Sequence, residues 1–474
     1  ASHTAAAATP TVVREALFRQ AGITATRSIL ELVDTAALLH VQPLPAPRGA
    51  VAVVSNAGGI GILAADACAD AGLLLPELPE IPELSGELQK LLPRGASVRN
   101  PVDTTAAVGP TELACCLEAL ERCPAVDALL VCLVPTALTT DPAHDPVRAL
   151  LEGPGRRRIP IVAVLPDQEV PVRYLNGADG HPLPVYADTA SAARALAHAR
   201  DRARWLAEPA GEEADAPGCD ARTARSLVNG FLATTPEGGW LDPVSTADLL
   251  ESYGLPLTTS VWARDEHAAV VAAETLRPLG HDGRVVVKAY WPGQVHKSEA
   301  GAVRVGLRAD SEIRSSYREF AAAFGTRMAG VVVQPMAAPG LELLAGVAQD
   351  RVFGPLVVLG MGGTATDVLD DRSARLAPLT EPDLTGMITE LRGAPLLSGH
   401  HGAPPVDLAA VRSVLARLSR LATDLPELVE ADLNPVIAGP AGAVCVDARV
   451  RLEPRPSFDP YLRRLRRPAV AEEA

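Results

Sequence analysis

Lys288 closes an apolar run, Val285-Val286-Val287, just before a loop opened by Trp291-Pro292-Gly293. A lysine placed in this way can reach a phosphate as a point charge, with backbone N–H groups around it. The loop then carries His296, Lys297, Ser298 and Glu299, and Ala300-Gly301 leads into the alternating run Val303-Arg304-Val305-Gly306. Neutral imidazole is a nucleophile near pH 7, so His296 could take up a phosphoryl group. A solvated surface pair, His296-Lys297, would look the same in sequence. Further along, Asp432, Asn434 and Asp447 offer hard oxygens from two neighbouring strand ends. That donor set suits a Mg²⁺ ion that keeps several waters and bridges phosphates, although Glu430-Ala431-Asp432-Leu433-Asn434 also fits an Asx-rich turn. Between these stretches, Gln334 ends the run Val331-Val332-Val333, where a chain crossing between two lobes could present its backbone to an adenine.

Two glycine turns could let backbone approach an anion. Ser55-Asn56-Ala57-Gly58-Gly59-Ile60-Gly61 follows the buried-strand run Ala50–Val54 and precedes a helical pattern reaching about Gly72. Strand, glycine turn and helix together aim unpaired N–H groups at a phosphate; an ordinary tight connection has the same spelling. The Gly59-Ile60-Gly61-Ile62-Leu63-Ala64 pattern meets only the loose dinucleotide fingerprint, and no acidic residue suited to a ribose follows a second strand, which disfavours a dinucleotide site. The second turn, with Gly360, Gly362 and Gly363, follows the strand-like Leu356–Leu359.

The elements that must position these residues fall into two groups. In residues 46–210, strand runs at 50–54, 128–134 and 159–165 alternate with helices at 110–122 and 191–206, which predicts a doubly wound parallel sheet of flavodoxin type. Asn100-Pro101-Val102-Asp103 is expected on a loop at the strand ends. Residues 211–219 are a linker by composition. Residues 220–456 read as a two-lobed α+β unit, with helices at 245–253, 266–279 and 408–421, a pairing candidate at Glu342–Val347 and a last strand at Ala443–Asp447. The order lysine strand, hinge strand, glycine turn, acid/Asn strand and Asp strand resembles that of an ATP-grasp fold.

At 474 residues the chain needs more than one core, and its net charge of −14 argues against nucleic-acid binding, which calls for a basic face. No apolar run reaches the roughly 18 residues of a membrane span. The seven cysteines show no Cys-x-x-Cys spacing and mostly sit in apolar runs, which favours buried reduced thiols and a cytoplasmic address. Ala1 starts the chain without a methionine or signal peptide, inside what looks like a motif, so a piece of something longer is the expectation.

The chain resembles the NDP-forming acyl-CoA synthetases, the ADP-forming acetate–CoA ligase branch related to succinyl-CoA synthetase. The resemblance runs over nearly all of residues 1–455. It is carried in order by Ser2-His3-Thr4, Ser55–Gly59, Asn100–Asp103, Lys288, His296-Lys297-Ser298, Val333-Gln334-Pro335-Met336, Gly354–Gly363 and Glu430–Pro435. It implies a carboxy-terminal portion without the CoA-binding domain. Residues 1–45 would be the tail of a truncated CoA-ligase domain carrying His3, residues 46–210 a ligase-CoA domain, 220–456 the ATP-grasp domain, and 457–474 a tail. The implied activity is acid + CoA + ATP to acyl-CoA + ADP + phosphate, through an acyl phosphate and phosphohistidine. His3 would face the acyl-phosphate site and His296 would be the second carrier. Asn56, Gly58 and Gly59 would stabilise the phosphohistidine. Lys288, Gln334, Glu342, Gly362 and Gly363 would bind ATP or ADP, and Asn434, Asp447 and Asp432 would hold Mg²⁺. CoA would be a substrate bound mostly outside this chain, and an oligomer or a separate CoA-binding subunit is the expected partner. Two positions depart from the family: Ala5 stands where relatives have glycine, and Asp367 where glutamate is usual. An acyl-CoA- or ATP-sensing region of a protein lysine acetyltransferase is the alternative; two candidate phosphoryl carriers favour the enzyme.

Overall fold

The apolar run after Ala50 forms β1 (Val51–Ser55), in which every residue is buried. It belongs to a six-stranded sheet with β2 (Val102–Asp103), β3 (Ala128–Cys132), β4 (Ile161–Val164), β5 (Val172–Asn176) and β6 (Pro182–Tyr186), in the order β2-β1-β3-β4-β6-β5. All neighbours pair in parallel except the edge hairpin β5–β6. The strands read as unbroken apolar runs because both faces are covered. Ala52, Val54, Leu129, Val131, Ile161 and Ala163 pack toward the helices Pro82–Leu91 and Pro110–Arg122. Their alternates Val51, Val53, Ala128, Leu130, Val162 and Val164 pack toward the helices Gly58–Asp70 and Thr189–Ala207. The doubly wound, flavodoxin-type expectation is met. The stretch expected as a loop, Asn100–Asp103, instead ends in the short strand β2.

The computed structural model describes residues 10–135, 145–151, 158–177, 180–291, 301–350, 352–363, 371–400 and 402–454. The chain divides into two compact units, residues 22–209 and residues 1–21 with 210–474. The division therefore falls at residue 21/22, inside the segment expected to belong together as 1–45.

The larger unit holds two antiparallel sheets. The first has β8 (Val261–Ala263), β9 (Val285–Tyr290), β10 (Val303–Leu307) and β11 (Gly330–Pro335) in the order β10-β9-β11-β8. The second contains β7 (Gly239–Trp240), β12 (Leu341–Asp350), β13 (Gly354–Met361), β14 (Arg372–Leu376), β15 (Leu428–Gly439), β16 (Gly442–Cys445) and β17 (Ala448–Leu452), ordered β14-β13-β12-β15-β17-β7 with β16 beside β15. Val285, Val287, Ala289, Val331 and Val333 pack on the helices Glu266–Leu276 and Asp310–Phe324. Because side chains alternate along a strand, Lys288 and Gln334 fall on the opposite face, away from that helical layer. The second sheet buries Leu343, Ala345, Val347, Leu359 and Leu433 under the helix Leu408–Asp424. Its outer face at β13 and β14 is covered by the helix Pro10–Ala21 through Val13 and Ala16, and the Gln20 amide both donates to and accepts from the Leu376 backbone at 3.0 and 2.8 Å.

Two expectations about this unit change. The last strand, expected as Ala443–Asp447, is β16 and ends at Cys445; Val446 and Asp447 lie in a break, and a further strand, β17, follows it. The helix Asp310–Phe324 has no counterpart in the sequence reading, although Ile313, Tyr317, Phe320 and Phe324 stand at helical spacing and pack on the first sheet's core.

Candidate functional site

Lys288, Gln334 and Asp447 line one cavity of about 350 Å³ in the larger unit. They arrive from β9, β11 and the β16–β17 break, and the strand register explains why they meet. Val332 pairs with Lys288 and Val286 with Gln334, so Lys288, Val332 and Gln334 share the open face of the first sheet. Lys288 is 7% exposed, and its Nζ donates to the Val446 carbonyl at 2.5 Å, which ties β9 to the break beside Asp447. Gln334 is buried one residue before the end of β11, at the crossing to the second sheet.

Cys445, Val446, Asp447, Ala448 and Arg449, from the end of β16 to the start of β17, also line the cavity, whereas Asn434 on β15 and Glu342, Gly362 and Gly363 are not among the lining residues. The Asn434 N–H donates to the Asp447 carbonyl at 3.0 Å, so the two proposed metal ligands are neighbours. An amide oxygen and a carboxylate are a donor set that fits Mg²⁺, which commonly takes one or two protein carboxylates and completes its shell with water and substrate phosphate. Among the described residues no group of three or more His, Cys, Asp or Glu is placed to hold a metal. Asp432 is otherwise engaged: it is 2% exposed, pairs across the strands with Arg449, and accepts from Arg449 Nη2 at 3.0 Å. That ion pair sets Asp432 apart from the other two proposed ligands.

The glycine turn after β13 packs tightly against β12. Gly362 donates its N–H to the Glu342 carbonyl at 2.8 Å, and a side chain there would meet Glu342 backbone carbon at 2.8 Å. Gly363 has φ +87°, a left-handed backbone, and a side chain there would stand 3.3 Å from the Glu342 carboxylate. Glu342, Gly362 and Gly363 thus form one cluster, with a packing reason for Gly362 that the sequence did not reveal. Asp367 lies outside the described residues, as do His296 and its loop and His3.

In residues 22–209 the β1 turn opens the helix Gly58–Asp70, whose N-cap Ala57 supplies no side-chain cap. A side chain at Gly59 would meet nothing within 4 Å, while one at Gly58 would lie 3.1 Å from Asp103 Oδ2. The polar side chains around the turn are tied to backbone. Asn56 is 2% exposed; its Nδ2 donates to the Val134 carbonyl and its Oδ1 accepts from the Val134 N–H, both at 2.9 Å. Asn100 accepts from Val53 N–H at 2.9 Å and donates to Val51 O at 2.8 Å, replacing a ladder strand beside β1. The expected phosphate-stabilising set therefore reduces, at the level of free donors, to the backbone at Gly58 and Gly59, with Asn56 as scaffold.

Several cavity residues were not singled out from sequence. Phe231, Trp240, Tyr290 and Trp291 all line it, in a chain with only 3% aromatic residues. That scarcity was the available signal, because flat apolar rings around a cavity suit a planar base. Asp242 also lines it and caps the helix Pro243–Glu251. Burial works against its charge, yet the N–H donors of Ser245 and Val244 win and hold its carboxyl below the usual range. Cys445 lies buried at the cavity floor, where burial pushes its thiol far up. All seven cysteines are free thiols, five of them buried.

Among the described residues no helix is long and apolar enough to cross a membrane. Residues 233–452 match the ATP-grasp domain family and residues 51–199 the Ligase-CoA domain family. The acetate–CoA ligase [ADP-forming] I of Archaeoglobus fulgidus is 30% identical over 456 residues, 95% of this chain and 63% of that protein. The 4-hydroxybutyrate–CoA ligase [ADP-forming] of Nitrosopumilus maritimus is 29% identical over 95% of this chain and 64% of that protein. The beta subunit of acetate–CoA ligase [ADP-forming] I of Pyrococcus furiosus is 34% identical over 210 residues, 43% of this chain and 88% of that subunit. A solved chain of the dinucleotide forming acetyl-coenzyme A synthetase 1 of Ca. Korarchaeum cryptofilum, in complex with coenzyme A, Ca-AMPCP and HgCl+, is 37% identical with a TM-score of 0.45, covering 48% of this chain and 100% of that one. The chain spans just under two thirds of the length of the first two of these relatives.

Proposed function

The chain belongs to the family of ADP-forming acyl-CoA ligases, and from that premise we propose that it carries the nucleotide half of a phosphoryl relay. The cavity of the larger unit takes ATP or ADP, with the base among its aromatic side chains and Gln334 and the polyphosphate toward Lys288. Mg²⁺ is held by Asn434 and Asp447 and, when bound, neutralises charge on the β- and γ-phosphates. Glu342, Gly362 and Gly363, which pack on one another in the second sheet, are the further candidates for contact with the nucleotide. His296 attacks the γ-phosphorus through a neutral ring nitrogen, a P–N bond forms as the P–O bond to ADP breaks, and ADP leaves. Run in the other direction, the same step returns the phosphoryl group to ADP.

The second half follows from the β1 turn. The unpaired N–H groups at Gly58 and Gly59 and the positive helix end favour a dianionic phosphohistidine, for which His3 is the candidate. The phosphoryl group then passes to a carboxylic acid as an acyl phosphate, and the CoA thiolate displaces phosphate to give acyl-CoA. CoA is bound mostly by a domain or subunit outside these residues; relatives in Pyrococcus furiosus are named as separate alpha and beta subunits. The regulatory alternative has no observation in its favour.

The observation that carries this reading is the convergence of Lys288, Gln334 and Asp447, from three separate stretches, on one cavity. The test is incubation of the chain with γ-labelled ATP and Mg²⁺. Label that is acid-labile, base-stable and lost in His296→Ala supports the relay; label retained in His296→Ala, or none in the intact chain, overturns it.

A further inference from the structure

We propose that Arg449 is a second cation of the polyphosphate site, and that Asp432 positions its guanidinium instead of ligating the metal. The inference rests on the nucleotide reading above and deepens it. Arg449 lines the same cavity as Lys288 and Asp447. Its side chain is 16% exposed and its partner Asp432 only 1%. Arg449 is among the residues lining the cavity and Asp432 is not, so the ion pair reaches the cavity through its guanidinium. Trp240, also a lining residue, lies under the guanidinium at 5.7 Å from its ring centroid.

Three features follow from the chemistry of a guanidinium. It carries five N–H donors in a rigid planar fork, so an edge bonded to Asp432 is compatible with a phosphate oxygen at another edge. A half-buried guanidinium hydrogen-bonded to a buried carboxylate is held in place in a site partly shielded from water. An ion pair and a ring face together restrict rotamers, so little freedom remains to be lost when an anion arrives.

Register supports the division of labour between the two aspartates. Asp432 and Arg449 are direct partners on β15 and β17, and Leu433 and Ala448 pair next. One step further, Asn434 N–H reaches the Asp447 carbonyl across the β16–β17 break. The pair Asp432–Arg449 thus lies next to the pair Asn434–Asp447 along the same two chains, one supplying positive charge and the other oxygen ligands. Lys288, holding Val446 O, adds its charge beside the same break.

The test uses the full chain and two separable readouts. ATP affinity is measured by calorimetry in EDTA, and Mn²⁺ affinity by electron paramagnetic resonance with saturating ADP. Arg449→Met is expected to weaken metal-free ATP about 10- to 100-fold, with partial rescue in Arg449→Lys. Asp432→Asn is expected to weaken metal-free ATP about 5- to 20-fold while changing Mn²⁺ affinity less than about threefold. In Asp432→Asn/Arg449→Gln, which removes both charges and guards against misfolding of the single variants, ATP affinity matches that of Arg449→Met. Loss of Mn²⁺ affinity in Asp432→Asn with unchanged metal-free ATP binding overturns the inference in favour of a metal ligand. A lowered melting temperature with both affinities intact overturns it in favour of a purely structural pair. Lys288→Ala serves as control: if it weakens ATP and the Arg449 variants do not, only this inference fails, whereas if neither does, the nucleotide reading fails with it.

Discussion

The cleft of the larger unit and the β1 crevice of the parallel sheet were both read as phosphate sites, yet they are built on opposite plans. In the cleft, polar side chains from distant strands reach into a shared cavity: Lys288, Gln334, Asp447 and Arg449 all line it. In the crevice, the polar side chains face inward to the fold. Asn56 is bound to Val134 and Asn100 to Val51 and Val53, and what remains for an anion is backbone at Gly58 and Gly59. The difference follows from sheet type. A parallel sheet covered on both faces leaves side chains no open face, so a ligand meets the strand ends and helix N-termini. An antiparallel sheet covered on one side offers the other side to a ligand.

This contrast makes substitutions in the two regions behave differently. Asn100→Ala removes three part-buried hydrogen bonds and leaves Val51 O, Val53 N–H and Pro76 O without those partners, at a cost of about 3 kcal/mol. Urea denaturation should show that loss, with ATP affinity in the other unit unchanged. Gly362→Ala places a methyl group against the Glu342 backbone and should cost about 2 kcal/mol, read in the same experiment together with weaker ATP binding. Gly59→Ala, with nothing within 4 Å of the added carbon, should gain up to about 1 kcal/mol of helix stability while lowering histidine phosphorylation at the β1 site. A loss of stability there would mean that the turn is packed like the one at Gly362.

The smallest effect concerns the thiols. Burial pushes Cys68 and Cys116 up to about 12, so both are neutral through the physiological range and only ionise in strong base. Iodoacetamide near pH 8 should leave both unlabelled in the native chain and label them after denaturation. Native labelling of Cys68, on the helix that starts at the glycine turn, would show that this helix opens.

Much of this organisation was legible in the sequence. The runs at 50–54, 128–134 and 159–165 announce a doubly covered sheet because burial on both faces removes the polar alternation. Lys288, Gln334 and Asp447 stood out in the sequence by residue type and order, and they line one cavity; Asn434 is not among the lining residues. What stayed hidden depends on register across strands far apart in the chain. Asp432 and Asp447 look equivalent in sequence, and only the pairing of β15 with β17 sets one against Arg449 and the other at the cavity. Asn100 looks like a loop residue because its amide substitutes for a strand that the sequence lacks. Gly362 looks like a phosphate turn because close backbone packing and close ligand approach both require glycine.

The proposed relay begins with Lys288 meeting a nucleotide in the cleft. Calorimetric titration of ATP in EDTA into the wild-type chain and Lys288→Met, a change that keeps most of the buried stem, tests it directly. The expected result is a loss of about 2 kcal/mol in binding, roughly 30-fold in the dissociation constant, with native folding retained. Equal affinity in the two proteins would contradict the account.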